Sequence, residues 1–511
     1  MTFRSYVLTI AVLIAGLCSR VALLQAQPVV TPVNMALGGG GAAYITGFSS
    51  NFYNPANLMI HESSTHFQIG LGMLGSSFEP VESRKNALDQ FDNYTSYLQP
   101  YKRSNTRPSD AQLFNIVDRN FIGDNLKSEN NARADLIAFG FHWQQDKKSY
   151  SLALRTRMAS RVITGRGWYG PSPVKLDSTP VLDRSLDQQY QVFHELSFGY
   201  AESFSFLNGL FPHISKLYIG LAPKLIIPGA HLDARYNADY RYSNAQKTYK
   251  YSRSIDYFSS GSLTRSTLNY LQNGNAQSSI GLLNTSDLFR PTGYGFGLDF
   301  GITYLITLGN DLSVIEAGPS STVHKSLRIS FSITDVGYVN YNQKSLHINS
   351  KHPVASVDSL PGMANAVFTG APGEYPVFLD ENTSQNGMLQ NPDKISQESY
   401  SKLLPTALHT GMLFQVNRIK LMGDLNIGIT NNAFNTTKLS AHVGTELRPL
   451  KFLPLRAGLR LASQRPMLIG LGTGLDLKNW ELSLATQLST KSNNITYEFV
   501  GGAVAAISFK F

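Results

Sequence analysis

The chain has 511 residues, of which 15% are charged, 11% are aromatic and one is cysteine, and its formal net charge is +9. One cysteine excludes a disulfide-stapled secreted scaffold, and low charge with many aromatic residues excludes a disordered chain. After the N-terminus there is no apolar run of about 18 residues, which excludes a helical membrane protein. A large β protein remains.

Residues 1–27 form a predicted export signal. Arg4 precedes the apolar run Val7–Cys18, and small residues near Ala26 follow it. A basic start, a short apolar centre and a small-residue cleavage zone are typical of a secretory signal peptide, and the run is too short to span a bilayer. We expect cleavage near Gln27, which removes Cys18 and suits an oxidising envelope compartment.

Residues 63–511 are predicted to form a β-barrel in a membrane. Apolar side chains alternate along segments such as Tyr294–Ile306, Leu327–Ile333 and Leu455–Leu461, as they do on one face of a strand. The opposite faces are rich in Gly, Ser, Thr and Asn, which suits a crowded polar lumen, with the apolar faces toward lipid. Only a closed barrel satisfies every backbone group in lipid, so we predict an all-β antiparallel barrel. A soluble all-β protein is the alternative.

The predicted connections are of two lengths. Val416–Ile419 and Lys478–Asn479 are short. The long loops are predicted at residues 76–133, 233–292 and 349–405. Outer-membrane barrels have short periplasmic turns and long external loops. Helical spacing predicts helices at Ser109–Asn125 and Asp393–Leu404. Of 13 to 16 strand candidates we predict about 14, with 12 and 16 open, because bacterial barrels take even numbers.

Residues 28–62 are predicted to form a plug, or hatch. The run Gly38–Gly41 (Gly38, Gly39, Gly40 and Gly41) lets the backbone pack closely with positive φ, and Asn54 before Pro55 favours a turn. Together with Ala56, this pattern within residues 34–58 resembles the N-terminal signature of FadL-type outer-membrane transporters and of the PorV group of type IX secretion. Two later segments are similar to an uncharacterised Bacteroidetes branch of that superfamily. They are His194–Ala201 and Ser332–Tyr338.

The resemblance implies a 14-stranded barrel with an N-terminal hatch inside its lumen. It also implies passive transport of hydrophobic, fatty-acid-like small molecules, with an apolar pocket beside residues 30–60 and a gap in the wall. The alternative is a PorV-like docking protein for secreted or surface proteins. That function predicts no continuous path, and ordered, Tyr-rich loops in 76–133 and 233–292, since Tyr supplies contact area at low entropy cost. No local motif carries ligand-binding residues over from the family.

Seven charged residues fall on predicted inward strand faces. They are Arg155, Arg157, Glu195, Asp424, Arg456, Arg460 and Asp476. Such residues predict either an ion-pair network that holds the strands and plug together or a polar track along a permeation path. The last strand carries Phe509 and ends at Phe511, which resembles the C-terminal assembly signal of bacterial outer-membrane barrels.

No pattern for catalysis or a cofactor stands out. Gly70–Gly75 fits the spacing of a dinucleotide-binding loop but lacks the helix that should follow. The histidines are scattered and no nucleophile elbow occurs, so we predict no enzyme, cofactor or metal. Without a Lys/Arg run we expect no nucleic-acid partner. The predicted location is the bacterial outer membrane, and the predicted partners are its lipid, the barrel-assembly machinery, and either a hydrophobic ligand or secretion-system or surface proteins.

Overall fold

The structure is a computed structural model. It describes residues 24–26, 31–60, 66–78, 108–121, 124–204, 215–273, 285–307, 325–371, 373–383, 389, 392–462, 467–477, 479–490, 497–504 and 507–510. Most of the predicted signal peptide, much of the loop predicted at 76–133, and Phe511 therefore lie outside the described residues. Leu24–Ala26, within the predicted signal, pairs with a later strand at Leu439.

The described chain is mostly β-strand. The strands are β1 (Leu24–Ala26), β2 (Phe67–Phe78), β3 (Lys127–Gln145), β4 (Lys148–Gly165), β5 (Val174–Leu176), β6 (Thr179–Asp183), β7 (Leu186–Phe204), β8 (Ser215–Ser243), β9 (Thr248–Ser260), β10 (Gly293–Thr307), β11 (Lys325–Tyr341), β12 (Leu346–Val357), β13 (Lys394–Ser396), β14 (Tyr400–Leu403), β15 (Ala407–Val416), β16 (Ile419–Gly428), β17 (Asn435–Leu450), β18 (Leu453–Ala462), β19 (Leu468–Asp476), β20 (Trp480–Thr490), β21 (Tyr497–Val504) and β22 (Ile507–Lys510). The helices are α1 (Pro32–Ala36), α2 (Asp110–Asn120), α3 (Ser262–Asn273), α4 (Thr285–Leu288) and α5 (Glu374–Thr383), with 3₁₀ turns η1 (Gly47–Phe52), η2 (Pro55–Met59) and η3 (Arg166–Trp168).

Fourteen strand positions close into an antiparallel barrel. In order around the wall they are β2, β3, β4, β7, β8, β10, β11, β15, β16, β17, β18, β19, β20, and β21 with β22. Closure comes from β2, which pairs with β3 on one side and with β21 and β22 on the other. The prediction of an all-β antiparallel barrel of about 14 strands is confirmed. Closure leaves no free edge in the wall, as a bilayer requires.

A belt of apolar side chains surrounds the barrel. Leu421 on β16 is 52% exposed, whereas the next residue, Met422, points inward and is buried. At the end with the short turns, the ring of Tyr150 lies 5.6 Å from that of Trp143 and 5.5 Å from that of Tyr200. Aromatic side chains of this kind mark the membrane–water interface.

Among the helices that the structure describes, none is long and apolar enough to cross a membrane.

Strand β8 shows where the belt ends. In its first half the apolar side chains point outward, as at Ile227, which is exposed. A shift in register between Pro228 and His231 keeps Leu232 and Tyr236 on the same face as Ile227, but there they are buried in a second hydrophobic core, while exposed Arg241 is on the other face. One strand thus serves first as a lipid-facing wall and then as one side of a water-soluble sheet.

A second body of structure, here called the cap, lies beyond the belt at the end with the long connections. It consists of the distal parts of β3, β4, β7 and β8 with β5, β6, β9, β12, β13, α2, α3, α4 and α5. The cap has its own hydrophobic core, in which Trp168, Tyr190 and Tyr257 are fully buried beside Phe368 and Tyr375. Part of the chain predicted as long loops therefore folds into a packed layer.

The structure differs from the predicted loops in several places. Residues 233–292 contain the end of β8, all of β9, and α3 and α4. The helix predicted at Ser109–Asn125 is present as α2, where Ser109 and Gln112 form a capping box. The helix predicted at Asp393–Leu404 is wrong, because this segment forms β13 and β14, and the pairing of β14 with β11 outweighs the helical spacing.

Candidate functional site in the barrel lumen

Residues 31–60, here called the hatch segment, lie against the inward face of the wall. All of them are buried except Val33, Thr46 and Ser49, which are partly buried. Helix α1 contacts β18, β19 and β20, η1 contacts β3 and β4, and η2 contacts β7, β8 and β10. The segment therefore touches widely separated parts of the wall.

The glycine run makes the sharp turn that fits the segment into the lumen. Gly38, Gly39 and Gly41 have φ values of +73°, +98° and +149°, which L side chains rarely adopt. A Cβ atom on Gly38 would lie 2.7 Å from the backbone of Leu459 on β18. Glycine is therefore required both for the turn and for the close approach to the wall.

The wall also supplies glycines where the hatch segment touches it. A side chain at Gly458 would collide with Leu37, one at Gly470 with Met35, and one at Gly220 with Pro55. These small residues on inward strand faces form niches for the backbone of the segment.

Asn54 links the second turn of the segment to the wall and to the glycine run. Its Oδ1 accepts a hydrogen bond from the Ala56 N–H at 3.2 Å, which caps η2. Its Nδ2 donates to Thr303 Oγ1 on β10 at 2.9 Å and to the Ala42 carbonyl at 3.0 Å. Asn57 donates to the same carbonyl at 2.8 Å. The two asparagines thus join the Asn-Pro-Ala turn to the chain that follows the glycine run.

Asp424 and His442 hold the glycine run from the wall. The carboxylate of Asp424 accepts a hydrogen bond from the Gly41 N–H. His442 Nδ1 lies 2.7 Å from the Gly38 carbonyl oxygen, and its Nε2 lies 2.8 Å from Ser440 Oγ. A carbonyl only accepts, so Nδ1 donates and the imidazole is the Nδ1–H tautomer.

A second group of charges lies toward the short-turn end. Buried Glu446 accepts from Arg456 Nε at 2.7 Å, from Arg448 Nε at 2.9 Å and from the Tyr44 hydroxyl of the hatch segment. Asp476 lies 2.7 Å from both Arg448 Nη1 and Lys510 Nζ. These bonds connect β17, β18 and β19 to the last strand.

Two other predicted residues are placed nearby. Arg460 is buried on the inward face of β18, opposite His442. Phe509 is on the outward face of β22 and is exposed, so its ring belongs to the apolar belt.

The most extensive charge network crosses the lumen between β3 and β11. Glu195 lies 2.7 Å from Arg155 Nη2 and 2.6 Å from Arg157 Nη2. Arg157 Nη1 lies 2.9 Å from Asp335, and Asp335 lies 2.7 Å from Lys224 Nζ. These side chains are almost fully buried, so each charge depends on its partners for stabilisation.

Sequence reasoning did not identify three members of this network: Lys224, Asp299 and Asp335. Lys224 also lies 2.6 Å from Asp299, whose other oxygen accepts from the Asp335 N–H. A signal was available, because Lys224 is the one cation on the inward face of β8 between Tyr218 and Pro228. Which acids it meets depends on the register of strands far apart in sequence, and that information is not local.

A partly open pocket with a cavity volume of about 30 Å³ lies between this network and the hatch segment. Phe52 and Tyr53 line it from the segment, and Arg133, Asp135, Arg155, Arg157 and Asp335 line it from the wall. Phe434, Pro405 and Ala407 add an apolar side. The pocket beside residues 30–60 is therefore present, but its lining is mixed rather than purely apolar.

The wall is irregular next to this pocket. β11 pairs with β15 up to Thr334 and with β14 from Tyr338 onwards. Between them Asp335 has φ +56°, an unusual conformation for a non-glycine residue. The break is bridged by the Leu404 N–H, which donates to the Gly337 carbonyl at 3.0 Å, and by Thr406 Oγ1, which donates to the Asp335 carbonyl at 2.8 Å. The hydrogen-bond ladder is interrupted here, but the two strands remain joined.

In the described ranges, no three His, Cys, Asp or Glu side chains come close enough to hold a metal ion.

Comparison with known proteins gives one family and several solved structures. The family described as "Family of unknown function (DUF5723)" matches residues 81–487. No curated protein matches the chain. Among solved structures, the Pseudomonas putida toluene transporter TodX is 12% identical, with 95% of this chain and 99% of that one covered and a TM-score of 0.40.

Two further structures are similar to the same degree. The Ralstonia pickettii toluene transporter TbuX is 12% identical, with 95% and 99% covered and a TM-score of 0.41. A Pseudomonas aeruginosa FadL homologue is 9% identical, with 96% and 98% covered and a TM-score of 0.40. A FadL homologue and two toluene transporters are thus among the structures similar to this chain, and the Bacteroidetes branch stays a prediction.

Proposed function

The chain belongs to the DUF5723 family, and we propose from its own residues that it is an outer-membrane barrel. In this proposal the barrel passively transports fatty-acid-like molecules. The apolar belt and the aromatic residues at its edge support a membrane location. The export signal predicted at residues 1–27 favours a location in the bacterial envelope. The hatch segment would then regulate passage through the lumen.

The observation that carries the proposal is the pocket beside Phe52 and Tyr53. A fatty-acid-like molecule has an apolar tail and a carboxylate, and the pocket lining offers both kinds of partner. The cavity of about 30 Å³ would have to widen, by movement of the hatch segment, to admit such a molecule. Phe52, Tyr53 and Phe434 supply apolar surface, and Arg133 and Arg157 supply guanidinium groups suited to a carboxylate. Arg157 is already paired with Glu195 and Asp335, and Arg133 donates to the Phe434 carbonyl, so a carboxylate would join an existing network of charges.

The position of the pocket supports a route through the wall. Asp335 lines the pocket and also occupies the break in the β11 ladder. The pocket therefore lies on the lumen side of the place where β11 changes its partner strand, which only the bonds around Asp335 and Gly337 bridge.

The test is to fill the pocket without changing the rest of the wall. Ala407 lines the pocket, whereas Ala457 on β18 is on the outward face. We expect Ala407→Phe to reduce both the fatty acid that co-purifies in mild detergent and the uptake of a fluorescent fatty acid into liposomes. Ala457→Phe should change neither. If no apolar ligand co-purifies and uptake equals that of empty liposomes, the transport proposal fails.

A second candidate, a PorV-like docking protein, is favoured by the cap. The described part of the cap is a packed layer that still exposes large apolar side chains, with Phe114 at 53% and Val354 at 68%. Such side chains are suited to contact another protein. Co-purification of a secreted or surface protein, together with absence of any bound lipid, would favour docking over transport.

A further inference from the structure

Two arginines flank one small residue near the far end of the cap. On β8, Ala238 pairs with Arg253 of β9 on one side. On its other side, Arg184 donates its backbone N–H to the Ala238 carbonyl at 2.9 Å, just past the end of β6. Residues directly opposite one another share a face of the sheet, so both side chains lie on the face of Ala238, which has no bulk to separate them.

Neither guanidinium has an acidic partner among the described residues. Buried Arg184 donates to the carbonyls of Gly167 at 3.0 Å and Pro361 at 3.4 Å, and its guanidinium lies 5.1 Å from the centre of the Trp168 ring, so neutral groups surround its charge. Arg253 is partly buried, and its Nε makes no hydrogen bond in the described structure. The neighbouring carboxylate, Asp239, is on the opposite face, where it lies 3.6 Å from Arg241. One buried and one partly buried cation without a carboxylate partner favour binding of an anion.

Tyrosine rings lie beside these arginines. Tyr240 and Tyr251 are cross-strand partners whose rings stack at 4.9 Å with an interplanar angle of 17°. The Arg253 guanidinium lies 5.6 Å from the centre of the Tyr251 ring. The hydroxyls of both tyrosines make no hydrogen bond within the described structure, unlike that of buried Tyr257, which is bonded to Thr267. Rings with free hydroxyls offer an apolar face and a polar edge.

We propose that Arg184, Arg253, Tyr240 and Tyr251 form a binding site for an acidic saccharide. The guanidinium groups would hold a carboxylate of the sugar, while the aliphatic face of the sugar ring lies on the tyrosines and its hydroxyls bond to the phenols. Ala238 is ten residues beyond Pro228, where the belt ends, or roughly 30 Å along the strand. That distance excludes lipid headgroup phosphates and favours a glycan that extends away from the membrane.

The test uses the full-length barrel in detergent, titrated with trigalacturonate and with neutral maltotriose. We expect trigalacturonate to bind and to change tyrosine fluorescence, and Arg253→Gln and Tyr251→Leu each to weaken binding about tenfold. Arg241→Gln is the matched control, because Arg241 is three residues from Ala238 on the opposite face and is exposed. It should leave the affinity within about twofold, the size expected of a screened surface charge.

Each other outcome would overturn the proposal. Equal losses in the Arg253 and Arg241 variants would show non-specific attraction to a basic surface. Equal affinity for maltotriose would show that the arginines do not select an acid. Full competition by inorganic phosphate with no effect of Tyr251→Leu would show an anion site without saccharide recognition. Unchanged heat-modifiable migration of each variant on gels confirms that the barrel is folded.

Discussion

Glu195 is the residue on which the lumen network depends most. It joins Arg155 and Arg157, and all three side chains are nearly inaccessible. Replacing Glu195 with Gln removes a carboxylate that two buried guanidinium groups share. Breaking a buried ion pair in this way lowers the free energy of unfolding by about 3–5 kcal/mol. We expect Glu195→Gln to lower the temperature at which the barrel unfolds on heat-modifiability gels. Asp239→Asn, in an exposed pair, is the control and should have little effect.

The Glu195→Gln variant also distinguishes the two roles predicted for the lumen charges, which are an ion-pair network that stabilises the barrel and a polar track for permeation. If stability falls while uptake per folded barrel stays constant, the charges hold the wall and hatch together. A fall in uptake per folded barrel would instead support a polar track.

Gly458 tests how closely the hatch segment is fitted to the wall. A methyl group there would overlap the backbone of Leu37. We therefore expect Gly458→Ala to displace the segment, which increases cleavage of residues 31–60 by added protease. Gly423 on β16 is the matched control, since a Cβ there meets nothing within 4 Å. Equal protease resistance of the two variants would contradict the tight fit.

At the scale of elements, helix α5 gives the cap a dependence on pH. Burial raises the pKa of Glu374 to about 7, although hydrogen bonds from Thr369 and Gly370 oppose the shift. The folded cap thus binds this proton more tightly than the unfolded chain, whose pKa is about 4.5. The resulting stability is fully present below about pH 4.5 and is lost as pH rises through 7, by at most about 3 kcal/mol.

Hydrogen exchange of residues 373–383 measures this effect. After correction for intrinsic rates, we expect weaker protection at pH 8 than at pH 5 in the wild type, and a smaller difference in Glu374→Gln. Identical pH profiles in the two proteins would show that another group, such as Asp187, controls the change.

Elements also show how far the sequence could be read. The alternation in β4, β7 and β16 predicts which side chains point inward, because parity is local. In β8 the register shift after Pro228 reverses which positions point inward, and polarity alone made residues 233–243 resemble a loop. The partners of Lys224 and the break at Asp335 depend on strand register across the barrel, which a single sequence does not contain.

At the scale of the whole molecule, the belt and the cap predict opposite tolerance to charge. Leu421 is exposed in the belt, and Val354 is even more exposed in the cap. A charge facing lipid costs about 2–4 kcal/mol near the bilayer centre. We expect Leu421→Lys to lower the yield of folded barrel in membranes, and Val354→Lys to be neutral. If the lysine substitutions at both sites are tolerated equally, the chain is better explained as a soluble all-β protein than as a membrane barrel.

The contacts of the hatch segment also constrain the order in which the protein assembles. The segment touches β3 and β4 near the start of the wall and β18, β19 and β20 near its end. It is translated before all of them, so it is available as a template when the last strand meets the first. We therefore expect deletion of residues 31–60 to lower the yield of folded barrel rather than to leave a stable open pore.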